Sequence, residues 1–258
     1  MGKLQAGKTL LNAEVLTIKR LTKSFNNSIV LNGIDMTVYN GENVIVLGPS
    51  GSGKSVLFKI ITGFMQPDAG IVEVMGSNLS NLPLNQLRDL RKKIGMSFQN
   101  SALYDSMTVW DNMKFALTRH FKNMSKNELE IRIMDMLHMV GLAHATNYLP
   151  SDLSGGQRKR IGIARALVLE PELMLYDEPT AGLDPVTSAE INDLINHIQR
   201  TFNTTSLIIT HDLTCAKNTG HRLFMMYQGK FIREGSFAEV FLSGDDRIKP
   251  FYNYKFTD

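Results

Sequence analysis

The stretch Gly48-Pro49-Ser50-Gly51-Ser52-Gly53-Lys54-Ser55 constrains this chain more than any other. It fits G-x-x-x-x-G-K-[ST] at every fixed position. The apolar run Asn43-Val44-Ile45-Val46-Leu47 precedes it and reads as a buried strand, and Val56 to Ile61 comes after it and reads as a helix. Strand, loop and helix in that order give the pattern its physical meaning. The glycines let the backbone wrap an anion and turn several N–H groups inward. The helix starting near Gly53 adds its positive N-terminal end. Lys54 brings a full charge for the β- and γ-phosphates of a nucleoside triphosphate, and the Ser55 hydroxyl is placed to hold Mg²⁺. A bare glycine-rich turn is the alternative, and the matched flanks on both sides speak against it.

With 258 residues the chain suits one large domain, or a domain with a small subdomain. A net charge of +3 is too mild for the basic stripe of a nucleic-acid binder, so no nucleic-acid partner is expected. The single cysteine, Cys215, permits no internal disulfide and suits a reducing compartment; it reads as a small buried or surface residue. No apolar run is long enough to span a bilayer, and Glu14 interrupts the one candidate leader. Ala6 breaks the myristoylation pattern after Met1-Gly2. A cytosolic or peripheral protein is expected.

Residues 1–13 carry no pattern and read as an extension. Strand-like segments come next at Glu14–Ile18, Val30-Leu31 and Ile34–Tyr39, with Phe25 placed on a turn-rich loop between them. They predict a small sheet beside the nucleotide. After the first helix come a strand at Ile71–Val74, a helix at Leu84–Lys93 and a strand at Ile94–Phe98, ending on Gln99. Helices are predicted over 108–120 and 125–140, the second opened by a Ser125/Glu128 capping box with Leu129, Ile133, Met136, Leu137 and Val140 on one face. This helical block breaks the strand–helix rhythm and reads as a subdomain. The rhythm resumes with a helix at Gly155–Leu169, a strand at Leu173–Tyr176, a helix at Thr187–Phe202, a strand at Ser206–Thr210, a short helix, and the hairpin Leu223–Tyr227 with Phe231–Glu234. Such alternation predicts an α/β fold with a mostly parallel sheet covered on both faces.

Two further stretches carry chemistry. Asp177 and Glu178 come after an apolar strand, where ligands bind in open α/β sheets. Asp177 can hold Mg²⁺ beside Ser55, and Glu178 can deprotonate a water attacking the γ-phosphate. A pair of solvated carboxylates is the bland alternative. Leu153-Ser154-Gly155-Gly156-Gln157 is the other stretch. Ser154 reads as a helix N-cap, and two glycines bare the first-turn N–H groups, making a second anion-binding helix start. On composition alone an ordinary capped helix fits equally well.

In sequence order these stretches resemble the nucleotide-binding subunits of ABC transporters, from about residue 14 to 242. Gly48–Ser55 resembles the Walker A loop, Leu153–Gln157 the LSGGQ signature, and Leu173–Asp177 with Glu178 the Walker B strand and its catalytic glutamate. Ala181-Gly182-Leu183-Asp184 resembles the D-loop, Gln99 the Q-loop glutamine, His211 the switch histidine, and Phe25 the adenine-stacking aromatic. The resemblance implies a P-loop NTPase core, an N-terminal antiparallel β-subdomain and a helical subdomain inserted over about 100–155, with 243–258 as a tail. It implies ATP and Mg²⁺ as cofactors. Gly48, Pro49, Ser50, Gly51, Ser52, Gly53, Lys54, Ser55, Val56 and Gln99 would bind nucleotide. Ser55, Gln99 and Asp177 would serve the metal, and Glu178, His211 and Lys54 the reaction.

It also implies a head-to-tail homodimer, in which Ser154, Gly155, Gly156, Gln157 and Asp184 of one copy close the site of the other. Integral-membrane permease subunits on the inner membrane, met at its cytoplasmic face, would be partners. Met107, Val109, Trp110 and Met113 are candidate contacts with them, core packing being the alternative for each. Arg158-Lys159-Arg160 reads as a solvated or interface face, and His120, His138, His144 and His197 as surface or helix-face residues. Gly53–Val56, Ser97–Val109 and Ala181–Ser188 further resemble the ATPases of Mla-type phospholipid transporters, which work with an MCE-domain lipid-binding subunit. Rival expectations are a transporter for another small molecule, a ribosome-acting ABC protein, for which one nucleotide domain is too few, and a chromosome ATPase, for which the spacing leaves no coiled coil.

Overall fold

The apolar runs flanking the glycine loop assemble into a sheet in the computed structural model, which describes residues 13–251. In chain order the elements are β1 (Glu14–Phe25), β2 (Ser28–Tyr39), β3 (Asn43–Leu47), α1 (Lys54–Ile61), β4 (Ala69–Val74), β5 (Ser77–Asn78), α2 (Leu84–Lys92), β6 (Ile94–Ser97), α3 (Val109–His120), α4 (Lys126–Met139), α5 (Gly155–Leu167), β7 (Leu173–Asp177), α6 (Pro185–Phe202), β8 (Thr205–Thr210), α7 (Leu213–Thr219), β9 (Arg222–Tyr227), β10 (Lys230–Gly235) and α8 (Phe237–Phe241). Residues 1–12 of the expected extension and 252–258 of the expected tail lie outside the described residues.

The main sheet has the order β10-β9-β3-β8-β7-β6; all neighbours are parallel except β10, which folds back on β9 through the turn at Gln228 and Gly229. β3, β7, β8 and β9 bury both faces. Ile45, Leu47, Tyr176, Ile208 and Met225 enter one apolar cluster; Val44, Val46, Leu175, Ile209 and Phe224 enter the other. That period of two, written in side chains apolar on both sides, is the signature of a central parallel strand. A second sheet, β2-β1-β4-β5, is antiparallel throughout and shares the cluster that holds α1.

β1 departs from the sequence expectation. It runs on to Phe25, seven residues past the expected end, so Phe25 closes a strand rather than sitting on a loop. Register shifts and the positive φ of Arg20 (49°) mark bulges that break the alternation a pattern search relies on.

α3, α4 and α5 pack against one another. α4 opens on the expected Ser125/Glu128 capping box and buries Leu129, Ile133 and Leu137. Against them lie Val109, Met113 and Leu117 of α3, all fully buried. Val109 and Met113 are therefore core residues and cannot be surface contacts. Trp110 is half-buried against the same cluster, and Met107 lines an open groove with Asp111, Lys114 and Phe115. Lys159 corrects another expectation: it is 6% exposed, because the second turn of α5 lies against the sheet's edge of carboxylates rather than facing water. Cys215 is buried. Ile248, in the stretch expected as a tail, is 2% exposed within the core. Among the described residues no helix is long and apolar enough to cross a membrane.

Candidate functional site

Strand register builds the site. Leu47 pairs with Thr210, Asp177 with Ile209, and Ser97 with Tyr176. The C-terminal ends of β3, β8, β7 and β6 thus finish level, and the residues just beyond each strand meet their neighbours there. Those residues are the glycine loop, His211, Glu178 and Gln99. They line one cleft of about 450 Å³, with Val30, Ser50, Gly51, Gly53, Lys54, Ser55, Val56 and Asp177 completing its walls.

The loop itself depends on two close approaches. A Cβ at Gly48 would lie 2.3 Å from the Met226 carbonyl, backbone that has nowhere to move. Gly53 has φ +111° and would press a Cβ against Val30 and Leu31 of β2. α1 begins at Gly53 with no side-chain cap, so its first-turn N–H groups are left for an anion. The Lys54 ammonium folds back over the loop and donates to the Gly48 and Pro49 carbonyls at 2.7 and 3.0 Å. It stands 3.9 Å from a Glu178 carboxylate oxygen. Burial lowers its pKa, against the opposing pull of Glu178 and then Asp177. The amine is desolvated and only partly compensated by those carboxylates, which leaves it able to take a phosphate.

Glu178 is held by its whole periphery. Oε1 lies 2.9 Å from His211 Nδ1, while Oε2 accepts from Thr210 Oγ1 at 3.1 Å and from the His211 N–H at 3.2 Å. Its backbone is left-handed, with φ +48°. Burial, then the Glu178 charge, raises the Asp177 pKa, partly offset by Lys159 and Lys54. Two carboxylates thus crowd one strand end, with Lys159 and Lys54 offsetting their charge only in part.

The remaining expected residues lie elsewhere. Phe25, at 41% exposed, does not line the cleft; Lys23 Nζ sits 5.4 Å from its ring centroid. Gly48, Pro49 and Ser52 belong to the loop but not to the cleft walls, and Ser52 is buried with no partner for its hydroxyl among the described residues. Ser154 caps α5: its Oγ accepts from the Gln157 N–H, and the Gln157 side chain accepts from the Ser154 N–H. The Ser154 hydroxyl proton stays available to donate outward. Ser154 and Gly155 are exposed, whereas Gly156 is buried where a Cβ would meet Thr187 Cγ2 at 2.3 Å. Asp184 caps α6, accepting from the Val186 and Thr187 N–H groups at 3.0 Å. The Thr187 hydroxyl bond leads the causes that lower its pKa. Sequence reasoning missed Thr210 and Lys159, which both touch Glu178; a polar residue just before His211 was the available signal for the first.

The family model described as ABC transporter matches residues 31–181 of the 258. "Probable ribonucleotide transport ATP-binding protein mkl" of Mycobacterium leprae is 37% identical over 235 residues, 90% of this chain and 67% of that protein. "Methionine import ATP-binding protein MetN 2" of Bacillus cereus is 37% identical over 225 residues, 87% of this chain and 66% of that protein. The chain thus spans about two thirds of the length of these relatives. Among solved structures, cbiO1 of Clostridium perfringens, part of the transporter complex cbiONQ, superposes with TM-score 0.82 at 29% identity, covering 94% of this chain and 96% of that one. The cassette MJ0796, solved as a dimer, superposes with TM-score 0.79 at 31% identity over 86% and 98% of the two chains. A dimeric post-hydrolysis state of MJ0796 holds ADP and Pi. The chain belongs to the ABC transporter family, as its ATP-binding subunit, an ABC-type ATPase.

Proposed function

We propose that this subunit binds ATP with Mg²⁺ in the cleft, hydrolyses it with Glu178 as general base, and works as half of a head-to-tail pair of identical chains. The observation that carries this reading is the meeting of Lys54, Ser55, Gln99, Asp177, Glu178 and His211 at four level strand ends. Lys54 and the uncapped start of α1 would hold the β- and γ-phosphates. A water oxygen would attack the γ-phosphorus, Glu178 would take its proton, and the bond to the β-phosphate oxygen would break to leave ADP and phosphate. His211, 2.9 Å from Glu178, is placed to orient water and γ-phosphate together.

The residues present suit the metal. Ser55, Gln99 and Asp177 offer hard oxygen donors. Among the described residues no group of three or more His, Cys, Asp or Glu forms a cage, which suits an ion that keeps water and phosphate in its shell. Mg²⁺ there would neutralise charge on the phosphates. Exposed Ser154 and Gly155 lie outside their own cleft, which supports their use, with Gln157 and Asp184 nearby, in closing a partner's site.

The cargo we propose is phospholipid, moved between the inner membrane and the outer envelope by permease subunits carrying this ATPase on the cytoplasmic face, with an MCE-domain lipid-binding subunit. The support is the likeness of Ser97–Val109 and Ala181–Ser188 to such ATPases. Import of a small polar solute is the second reading, favoured by the names of the ribonucleotide and methionine relatives. Mass spectrometry of the complex purified with its membrane subunits decides between them. Stoichiometric phospholipid is expected. A lipid-free complex whose ATPase rises with methionine or a ribonucleotide would favour the second reading.

A further inference from the structure

The backbone of Glu178 is a strained point. A non-glycine residue at φ +48° is strained and persists only where its surroundings fix it. The carboxylate contacts with His211 and Thr210 do not fix the peptide. Its N–H does so on one side, donating to the Ile209 carbonyl of β8 at 2.8 Å. On the other side its carbonyl accepts two bonds: the Ala181 N–H at 3.2 Å, closing the local turn, and Lys159 Nζ at 3.0 Å, reaching in from α5.

Lys159 is a costly donor. It is 6% exposed, and among the described residues it forms no ion pair, although the charges of Asp177 and Glu178 lie close enough to act on it. Packing alone does not account for a buried ammonium that gives its hydrogen bond to a main-chain carbonyl rather than to a carboxylate: methionine would fill a similar volume with no desolvation cost. The carbonyl's position is what Lys159 secures. Its own position is set by the start of α5, where Gly156 is wedged on Thr187 and Ser154 caps the helix.

We infer that Lys159 is a positioning residue for Glu178, fixing the peptide from which the general base is aimed and tying that peptide to the start of the helix that carries the signature. The inference rests on the assignment of Glu178 as the base.

The test compares the full chain with Lys159→Met, Lys159→Arg and Glu178→Gln, measuring kcat, the KM for MgATP and the thermal midpoint of each. A small displacement of a reacting group costs about ten- to a hundredfold in rate, and that loss in kcat is expected for K159M, with KM changed by less than about threefold. Arginine can donate to the same carbonyl and is expected to recover most of the rate. If K159M fails to fold, Lys159→Gln replaces it, polar but too short to reach the carbonyl, with the same loss expected. A folded K159M with wild-type kcat, or a loss of rate that Arg does not recover, overturns the inference. An E178Q that still turns over overturns the base assignment itself; an inactive E178Q beside an unimpaired K159M overturns only the role of Lys159.

Discussion

Replacing Glu178 by Gln should separate chemistry from architecture. Glu178 Oε2 accepts both the Thr210 hydroxyl and the His211 N–H. The Gln oxygen can take that place and keep both bonds, now neutral. Its amide nitrogen then falls where Oε1 stood, 2.9 Å from His211 Nδ1, which can accept from it. The shape survives; what is lost is the difference between charge-assisted and neutral bonds, about 1 kcal/mol. Relief of Asp177 offsets part of that, since Glu178 is the second cause of its raised pKa. For a chain of 258 residues the thermal midpoint should then move by less than about 4 °C. The rate should fall by about 10²–10⁴, because the proposed base is no longer there to take the proton. That is about 3–5 kcal/mol of lost transition-state stabilisation. Steady-state phosphate release and a thermal melt, with and without ATP, measure both. An E178Q chain with kcat within about tenfold of wild type, or one that unfolds as readily as it loses activity, would refute the reasoning.

Two further outcomes are expected. Mixing Lys54→Ala chains with Ser154→Arg chains should restore ATPase that neither shows alone, because in a head-to-tail pair both lesions fall in one site and leave the other intact; absence of recovery in a mixture shown to exchange subunits would argue against the shared site. Asp245 is held down at about 2, first by the Arg247 side chain and then by its backbone N–H. A depressed carboxylate stabilises above its unfolded value of 3.8 and loses that contribution as pH falls through about 2. Asp245→Asn should thus melt earlier than wild type near neutrality, with the gap narrowing below about pH 4; a gap independent of pH would refute the linkage.

Much of this was legible because two periodicities and one loop motif are local properties. Asn43–Leu47 announces a buried strand by its apolar run, and Ser125 with Glu128 announces a helix start by their spacing. The bulged half of β1 was not legible, since its pairing with β2 shifts register where the sequence offers no alternation. Arg158-Lys159-Arg160 looks like a solvated run, and only the fold sends the middle member inward to a carbonyl 19 residues away. Val109 and Met113 could be read as contact or core until α4 was seen to cover them. Thr210 was marked in the sequence only by its place before His211, because parallel pairing between β7 and β8, not sequence proximity, makes it a partner of Glu178.

The two-sided burial of β3 has a consequence for what the chain can tolerate by insertion. Val44 and Val46 face one apolar cluster, Ile45 and Leu47 the other. One residue added within Asn43–Leu47 would exchange the faces downstream of it and carry Gly48 away from the Met226 carbonyl that admits only glycine. The same residue added at the exposed turn Asn26-Asn27 would meet water. Length is therefore fixed at the strand that feeds the loop and less constrained at the exposed β1–β2 turn, so a reporter or affinity tag belongs at the tip of that hairpin.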